Sequence, residues 1–327
     1  MVRAISQVGM TYNPSNSFAH EHVPVMREEV LDLLQCGPGG VFVDATLGPG
    51  GHAWAILERI QPGGLLIGLD RDGESLERAR QHLQPFSDCS RLLHENFKNL
   101  PLVLNNLGIE PIDGILVDLG VSSYQLMHPE RGFSFQSDDM LDMRMDRTQR
   151  LTAADLVNDL SAEQLADVIY RYGEERCSRR IAAAIVAARE RARITRCSQL
   201  ASIVRHAMGN RGPRTINPAT RTFQALRIAV NQELDGLEEF LINALSFIRP
   251  GGRLAVLSFH SLEDRIVKRS FRMMSGYCVC ERPAELCTCP RQARARLVPP
   301  RPWTPSDAEL ATNPRARSAK LRGLERI

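Results

Sequence analysis

The stretch that decides the fold is Val41-Phe-Val-Asp44-Ala-Thr-Leu-Gly48-Pro-Gly50-Gly51-His52, followed by Leu65-Leu-Ile-Gly68-Leu-Asp70-Arg-Asp72. The apolar runs 41–43 and 65–67 read as two buried parallel strands, because a strand covered on both faces loses the usual apolar–polar alternation. Between them lie a glycine-rich turn and a helical segment around Ala53–Glu58. The acid Asp70 closes the second run about 20 positions after the glycines, the spacing of a nucleotide-ribose contact in a βαβ unit. Glycines let the backbone approach a ligand closely, and a carboxylate at the strand end accepts both ribose hydroxyls. The constellation predicts an adenosine-containing ligand.

The details of the turn narrow that class. A dinucleotide site uses Gly-x-Gly-x-x-Gly and a helix N-terminus to hold a pyrophosphate. Here Gly48, Gly50 and Gly51 leave the third dinucleotide glycine without an equivalent. Asp44, at the mouth of the first strand, would repel a pyrophosphate. It suits a ligand that carries positive charge, such as the amino group and sulfonium of S-adenosylmethionine.

Outward from this unit, strands and helices alternate to about residue 126, with Leu92–His94 leading into Glu95-Asn-Phe97 and Gly114–Asp118 as further strands. From about 127 to 218 the strand signal stops. Ser161-Ala-Glu-Gln164 is a capping box, and Cys177–Arg191 reads as a long helix. Helical patterns continue over 218–234 and 237–248. After the turn Pro250-Gly-Gly252, Arg253–Phe259 is again a buried strand, so the sheet resumes after a helical insertion. This order is that of an α/β doubly wound sheet.

Composition fits a globular enzyme of 327 residues with a net charge of +3, as one large domain with an insertion or as two domains. No apolar run has the length of a membrane span, and the N-terminus lacks a charged-then-apolar leader; a cytoplasmic protein without membrane partners is expected. Residues 1–18 are polar and read as a disordered extension. Charge is uneven: 10 basic against 20 acidic residues over 1–146, but 14 against 7 over 147–222. Between 177 and 222, ten arginines, among them Arg189, Arg191, Arg193 and Arg196, accompany a single acid, Glu190. Arginine forks bind phosphate and stack on bases, which suggests a nucleic-acid substrate.

Three further motifs carry chemistry. Asp118-Leu-Gly-Val-Ser122-Ser123 follows the fourth strand, where a ligand crevice opens outside the carboxyl ends of parallel strands. Enzymes that methylate exocyclic amines place an acceptor there; this chain has the acid without the Pro-Pro-aromatic element that often follows. His260, in Ser258-Phe-His-Ser-Leu-Glu-Asp-Arg265, reads as a general base, a base-binding donor or a core histidine. Cys278, Cys280, Cys287 and Cys289 form a C-x-C-x6-C-x-C cluster that fits a structural zinc, an iron–sulfur site or a cysteine-rich loop that binds nothing. Cys36, Cys89, Cys177 and Cys197 are scattered and read as reduced core residues.

Taken together, the strings at Asp44–His52, Asp118–Ser123, Glu130-Arg-Gly-Phe-Ser-Phe135, Leu141-Asp-Met-Arg-Met-Asp146, Tyr172–Arg176, Ala219–Arg227, Ser258–Arg265 and Asn313–Ser318 resemble the RsmH (MraW) family. That family comprises bacterial 16S ribosomal RNA cytosine-N4 methyltransferases. The resemblance covers roughly residues 20–327. It implies a Rossmann-like S-adenosylmethionine-dependent methyltransferase fold over 19–126 and 219–327, with an all-helical insertion over 127–218 that helps bind RNA. It implies S-adenosylmethionine as methyl donor and, as acceptor, a cytidine in the decoding centre of the small ribosomal subunit. Donor contacts carried over by the resemblance are Gly50, Gly51, His52, Asp70, Phe97, Asp118 and Gln125. Asp118 and Ser122 are expected near the amine, with His260 in the pocket wall. Pro49 and Tyr124 depart from the family pattern. Two other readings stay open: amine methylation of another nucleic acid, and a mainly binding role in ribosome assembly. A homodimer is also compatible with the sequence.

Overall fold

The computed structural model describes residues 24–136, 138–209, 217–280, 287 and 292–327; the expected N-terminal extension and Cys289 lie outside them. The first half runs α1 (Arg27–Leu34), β1 (Val41–Asp44), α2 (Gly51–Ile60), β2 (Leu65–Asp70), α3 (Gly73–His82), β3 (Ser90–His94), α4 (Leu100–Leu107), β4 (Ile112–Asp118) and α5 (Ser123–Met127). Four helices follow: α6 (Ala153–Asp159), α7 (Ala162–Gly173), α8 (Ser178–Arg189) and α9 (Cys197–Met208). The chain then continues through α10 (Thr220–Asn231), α11 (Leu237–Phe247), β5 (Ile248–Ser258), α12 (Ser261–Met274), β6 (Ala295–Leu297), α13 (Asp307–Thr312) and β7 (Lys320–Arg326). No helix among the described residues is long and apolar enough to cross a membrane.

The strands form one seven-stranded sheet in the order β3-β2-β1-β4-β5-β7-β6. The first five are parallel, and β7 runs antiparallel between β5 and β6. This is the expected Rossmann-like methyltransferase fold. Side-chain alternation sorts the apolar runs onto two faces. Val43, Ile67, Ile115, Val117 and Val256 pack on one face with α4, α11 and α12, while Phe42, Leu66, Leu116 and Leu257 pack on the other with α1, α2 and α3. Both faces being covered explains why the strands read as continuous apolar runs.

The helical insertion has a core of its own, built from residues such as Leu165, Ile181, Ile185, Leu200 and Val204. Ala219, Phe223, Leu226 and Val230 join it, so α10 packs into the insertion although it follows the expected boundary at 218. The capping box at α7 forms: Ser161 Oγ accepts from Gln164 N at 3.2 Å, and Gln164 Oε1 accepts from Ser161 N at 2.9 Å. Several of the 177–222 arginines are engaged within the fold, so fewer remain for phosphate than the sequence count suggests. Arg193 pairs with Asp155 at 3.1 Å and Asp159 at 3.4 Å, and Arg196 reaches Asp138. Arg189 donates to the carbonyls of Val157 and Leu160, closing the C-terminal end of α6. Folding brings acids from 138–159 to these side chains, which the local sequence does not show.

The insertion is tied to the sheet through Arg131, a guanidinium buried to 1 % of its side-chain surface. It donates to Asp72 Oδ2 at 2.9 Å, to Glu74 Oε2 at 3.0 Å and to the carbonyls of Arg144 and Met145. Asp72 is equally buried and also caps α3, accepting from the backbone of Glu74 and Ser75. Removing one partner of such a pair strands a charge in low dielectric. Arg131→Met should therefore cost about 3–5 kcal/mol of stability in urea unfolding, with Asp72→Asn costing a similar amount. A loss within experimental error of zero would show the pair to be dispensable.

Candidate active site

At the carboxyl edge of the sheet, three adjacent central strands, β1, β2 and β4, end on aspartates: Asp44, Asp70 and Asp118. After Asp44 the chain turns through Gly48 (φ 53°) and Gly50 (φ 93°), left-handed conformations that favour glycine. Gly50 caps α2, and Gly48 N donates to Asp70 Oδ2 at 2.6 Å. The other Asp70 oxygen accepts from Asp72 N at 2.7 Å. Each carboxylate oxygen has a second lone pair, so Asp70 can hold the turn and still accept from a ligand. Thr46 joins the remaining two strand ends: its N donates to Asp44 Oδ1 at 3.2 Å, and its Oγ1 accepts from Asp118 N at 2.6 Å.

These carboxylates surround a cavity of about 370 Å³. Of the expected site residues, Gly51, His52, Asp70, Phe97, Asp118, Ser122 and Gln125 line it. Gly50 shapes the turn without lining the cavity. Asp118 Oδ2 lies 3.6 Å from His52 Nε2, and Asp118 Oδ1 is buried without a hydrogen-bond partner. Ser122 Oγ accepts from Gln125 N at 3.2 Å as the cap of α5, and Gln125 Nε2 donates to Asp72 Oδ2 at 2.8 Å. Gln125 is thus fixed between the cavity and the buried Asp72–Arg131 pair.

His260 does not line the cavity, which corrects the expectation of a pocket-wall histidine. It caps α12 instead, with Nδ1 accepting from Glu263 N at 3.4 Å. Its Nε2 sits 3.0 Å from Glu263 Oε1 but out of line for a hydrogen bond. The cavity wall is taken by its neighbours Phe259 and Glu263. Glu263 Oε2 accepts from Phe259 N at 2.9 Å.

Arg227, Glu233, Arg315 and Ser318 also line the cavity and were not read as site residues. Arg227 and Glu233 form a bidentate pair at 2.8 and 2.7 Å. The carboxylates of Glu233 and Glu263 and the ring of His260 converge within 4.8 Å, a geometry open to a cation, and Arg227 already supplies positive charge there. Arg227 ends a string quoted for the family resemblance, and Arg315 and Ser318 fall inside another. Spacing alone offers no route to them, because they come from α10, the turn that follows it and the C-terminal segment. The cysteines Cys278, Cys280 and Cys287 lie together elsewhere, and none lines the cavity.

Burial sets the electrostatics. It raises Asp44 to about 7, only partly offset by the Thr46 N–H, with Asp70 adding repulsion. It raises Asp70 to about 6 against the backbone donors of Asp72 and Gly48. Asp118 is pushed well above the usual carboxylate range by burial and by the charges of Asp44 and Glu263. For Glu263 burial acts in the same direction, but His260, Arg227 and the Phe259 N–H outweigh it and hold the group low. Burial therefore favours the protonated forms of the three aspartates, and a cationic ligand would favour the ionised ones.

A carboxyl whose pKa is raised on folding stabilises the native state below its unfolded pKa, and that contribution is lost as pH rises through the folded value. For Asp44 the window runs from about 4 in the unfolded chain to about 7. Asp44→Asn keeps an acceptor for Thr46 N and removes the titration. The ligand-free variant should gain melting temperature relative to the parent as pH is raised from about 5 to about 8. A pH-independent difference would remove Asp44 from the charge cluster.

Comparison with known proteins agrees with this geometry. The chain is 53 % identical over 308 residues to the ribosomal RNA small subunit methyltransferase H of Geobacter sulfurreducens, covering 94 % of this chain and 99 % of that protein. It is 52 % identical over 308 residues to the protein of that name from Syntrophotalea carbinolica, covering 94 % and 98 %. The Pelobacter propionicus protein of the same name is 50 % identical over 309 residues, covering 94 % and 99 %. Residues 19–327 match the MraW methylase family, and this chain belongs to it.

Proposed function

We propose that this methylase transfers the methyl group of S-adenosylmethionine to the N4 amine of a cytidine in the small-subunit ribosomal RNA. The observation that carries the reading is the set of three strand-end aspartates around one cavity beside a glycine turn. Asp70 accepts from the ribose hydroxyls, and Phe97 packs beside the adenine. Asp44 and Asp118 face the positively charged methionine end. The names of the relatives supply the RNA, and the resemblance of the motifs supplies the cytosine amine.

The amine lone pair forms the new N–C bond as the C–S bond breaks, leaving neutral S-adenosylhomocysteine. Positioning does most of this work, since the donor is already activated. Asp118, with a free and buried Oδ1, accepts an amine hydrogen and directs the lone pair at the methyl group. The proton lost from nitrogen after transfer passes to the ionised carboxylate of Asp118, the form that the cationic donor favours. Ser122 borders the cavity at the cap of α5, and His260 acts on Glu263 as a positioning residue. The target base must leave its stack to reach the cavity, as base-modifying enzymes require.

The decisive measurement is transfer of labelled methyl to small subunits that lack the mark, with free RNA and DNA alongside, followed by nucleoside analysis. N4-methylcytidine on the subunit RNA is expected. Label on DNA, or on another base, would overturn the substrate assignment.

Asp70→Ala should weaken S-adenosylmethionine binding by at least about tenfold in calorimetry, as expected for a charged hydrogen bond of about 1.5–3 kcal/mol. Asp70→Asn, which keeps an acceptor for the turn, should fall between the two. Unchanged affinity in a folded Asp70→Ala protein would withdraw the ribose role.

For the RNA path, the informative arginines are those without ion pairs. Arg179, Arg191 and Arg205 are exposed and carry none among the described residues. Changing all three to Gln should lower the salt dependence of RNA binding, by roughly one released counterion per lost phosphate contact, without lowering the melting temperature. Arg193→Gln with Arg196→Gln should leave the salt dependence of RNA binding unchanged, because these side chains are already paired. An unchanged salt slope in the triple variant would place the RNA path elsewhere.

A further inference from the structure

The connection from α12 to β6 brings its two ends together. Its ends meet where Arg294 N donates to Met274 O at 2.8 Å, and Tyr277 N folds back onto Arg272 O at 2.9 Å. Among the described residues between Met274 and Ala295, none is buried. Residues that enter no apolar core need another source of order, and small folded units obtain it from disulfides or bound metal.

At the centre of this loop are thiols. Cys278 Sγ lies 3.4 Å from Cys280 Sγ and 3.3 Å from Cys287 Sγ, and the three sulfurs fall within 4.8 Å of one another. These separations exceed the S–S bond length of a disulfide, about 2.05 Å. Thiols are weak hydrogen-bond partners, so their mutual contact does not by itself explain why residues nine positions apart converge. The cysteines outside the cluster differ: burial drives Cys36 and Cys197 up to about 12, which keeps them as inert thiols.

We propose that Cys278, Cys280 and Cys287 bind one zinc ion that staples the α12–β6 connection. Three thiolates supply the soft donors that structural zinc sites use and leave one position of the tetrahedron for a fourth ligand, and zinc accepts them without redox change. Cys289, the fourth thiol of the sequence motif, lies outside the described residues. The ion is structural: none of the three cysteines lines the cavity, and the loop delivers the chain directly into β6, the outer strand of the sheet. This site stands apart from the methyl-transfer reading and survives its failure.

The test is elemental analysis of the full chain, purified without chelator and without an immobilised-metal step. About one zinc per chain is expected. Cys278→Ser, Cys280→Ser and Cys287→Ser should each bring it well below half, whereas Cys36→Ser and Cys89→Ser should retain it. If the cluster variants do not fold, an organomercurial titration of the parent protein, followed by circular dichroism, should release zinc in step with modification of the clustered thiols. S-adenosylmethionine affinity should be unchanged in a folded Cys278→Ser variant. Zinc far below one per folded chain, iron with visible absorption in its place, or zinc retained after all three cysteines are changed would overturn the proposal.

Discussion

Three aspartates at the ends of neighbouring parallel strands are the constraint around which the rest of the structure is arranged. Asp44, Asp70 and Asp118 cannot all carry full charge in a buried crevice at no cost. The fold offsets part of it with backbone N–H donors from the glycine turn and from Thr46 and Asp72. The remainder is left for a ligand. An anionic dinucleotide would worsen the repulsion; a donor bearing a sulfonium and an ammonium relieves it. The same residues thus favour cationic ligands over anionic ones.

Around this crevice the chain assembles walls from distant segments. The loop after β4 is held by Gln125 and Arg131 against the buried Asp72, which also starts α3 beside Asp70. A single carboxylate therefore couples the donor side of the site to the insertion. On the opposite side, Glu263 is fixed by the N-terminal turn of α12, and Arg227 and Glu233 bring α10 to the cavity. The C-terminal segment completes it with Arg315 and Ser318, before β7 inserts beside β5. Because α10 also packs into the insertion core, movement of the insertion would be felt directly at the cavity.

The arginine-rich stretch illustrates how charge can be misread along one dimension. Its excess over acids is real in sequence, yet Arg189, Arg193 and Arg196 are spent on internal carbonyls and carboxylates. Exposed ion pairs of this kind add little stability individually. They do neutralise positive charge that would otherwise be free for phosphate, and they leave fewer arginines for RNA than the count implies.

The sequence by itself determined the parallel sheet, its glycine turn and the aspartates at its edge. Those features are local: strands buried on both faces must be apolar, left-handed turns favour glycine, and a strand-end acid is fixed by register. It also determined the break into a helical insertion and the capping box at Ser161 within it. Only the tertiary structure decided that His260 serves Glu263 rather than the cavity, and that Arg227, Glu233 and Arg315 reach the site. It alone placed β7 between β5 and β6, since Lys320-Leu-Arg-Gly-Leu-Glu-Arg326 is rich in charge. That charge is satisfied only after folding, when Arg322 meets Asp264 at 2.7 Å and Glu325 meets Arg253 at 3.0 Å. Contacts between segments tens to hundreds of residues apart leave no periodic mark in the chain, whereas the burial of a single strand does.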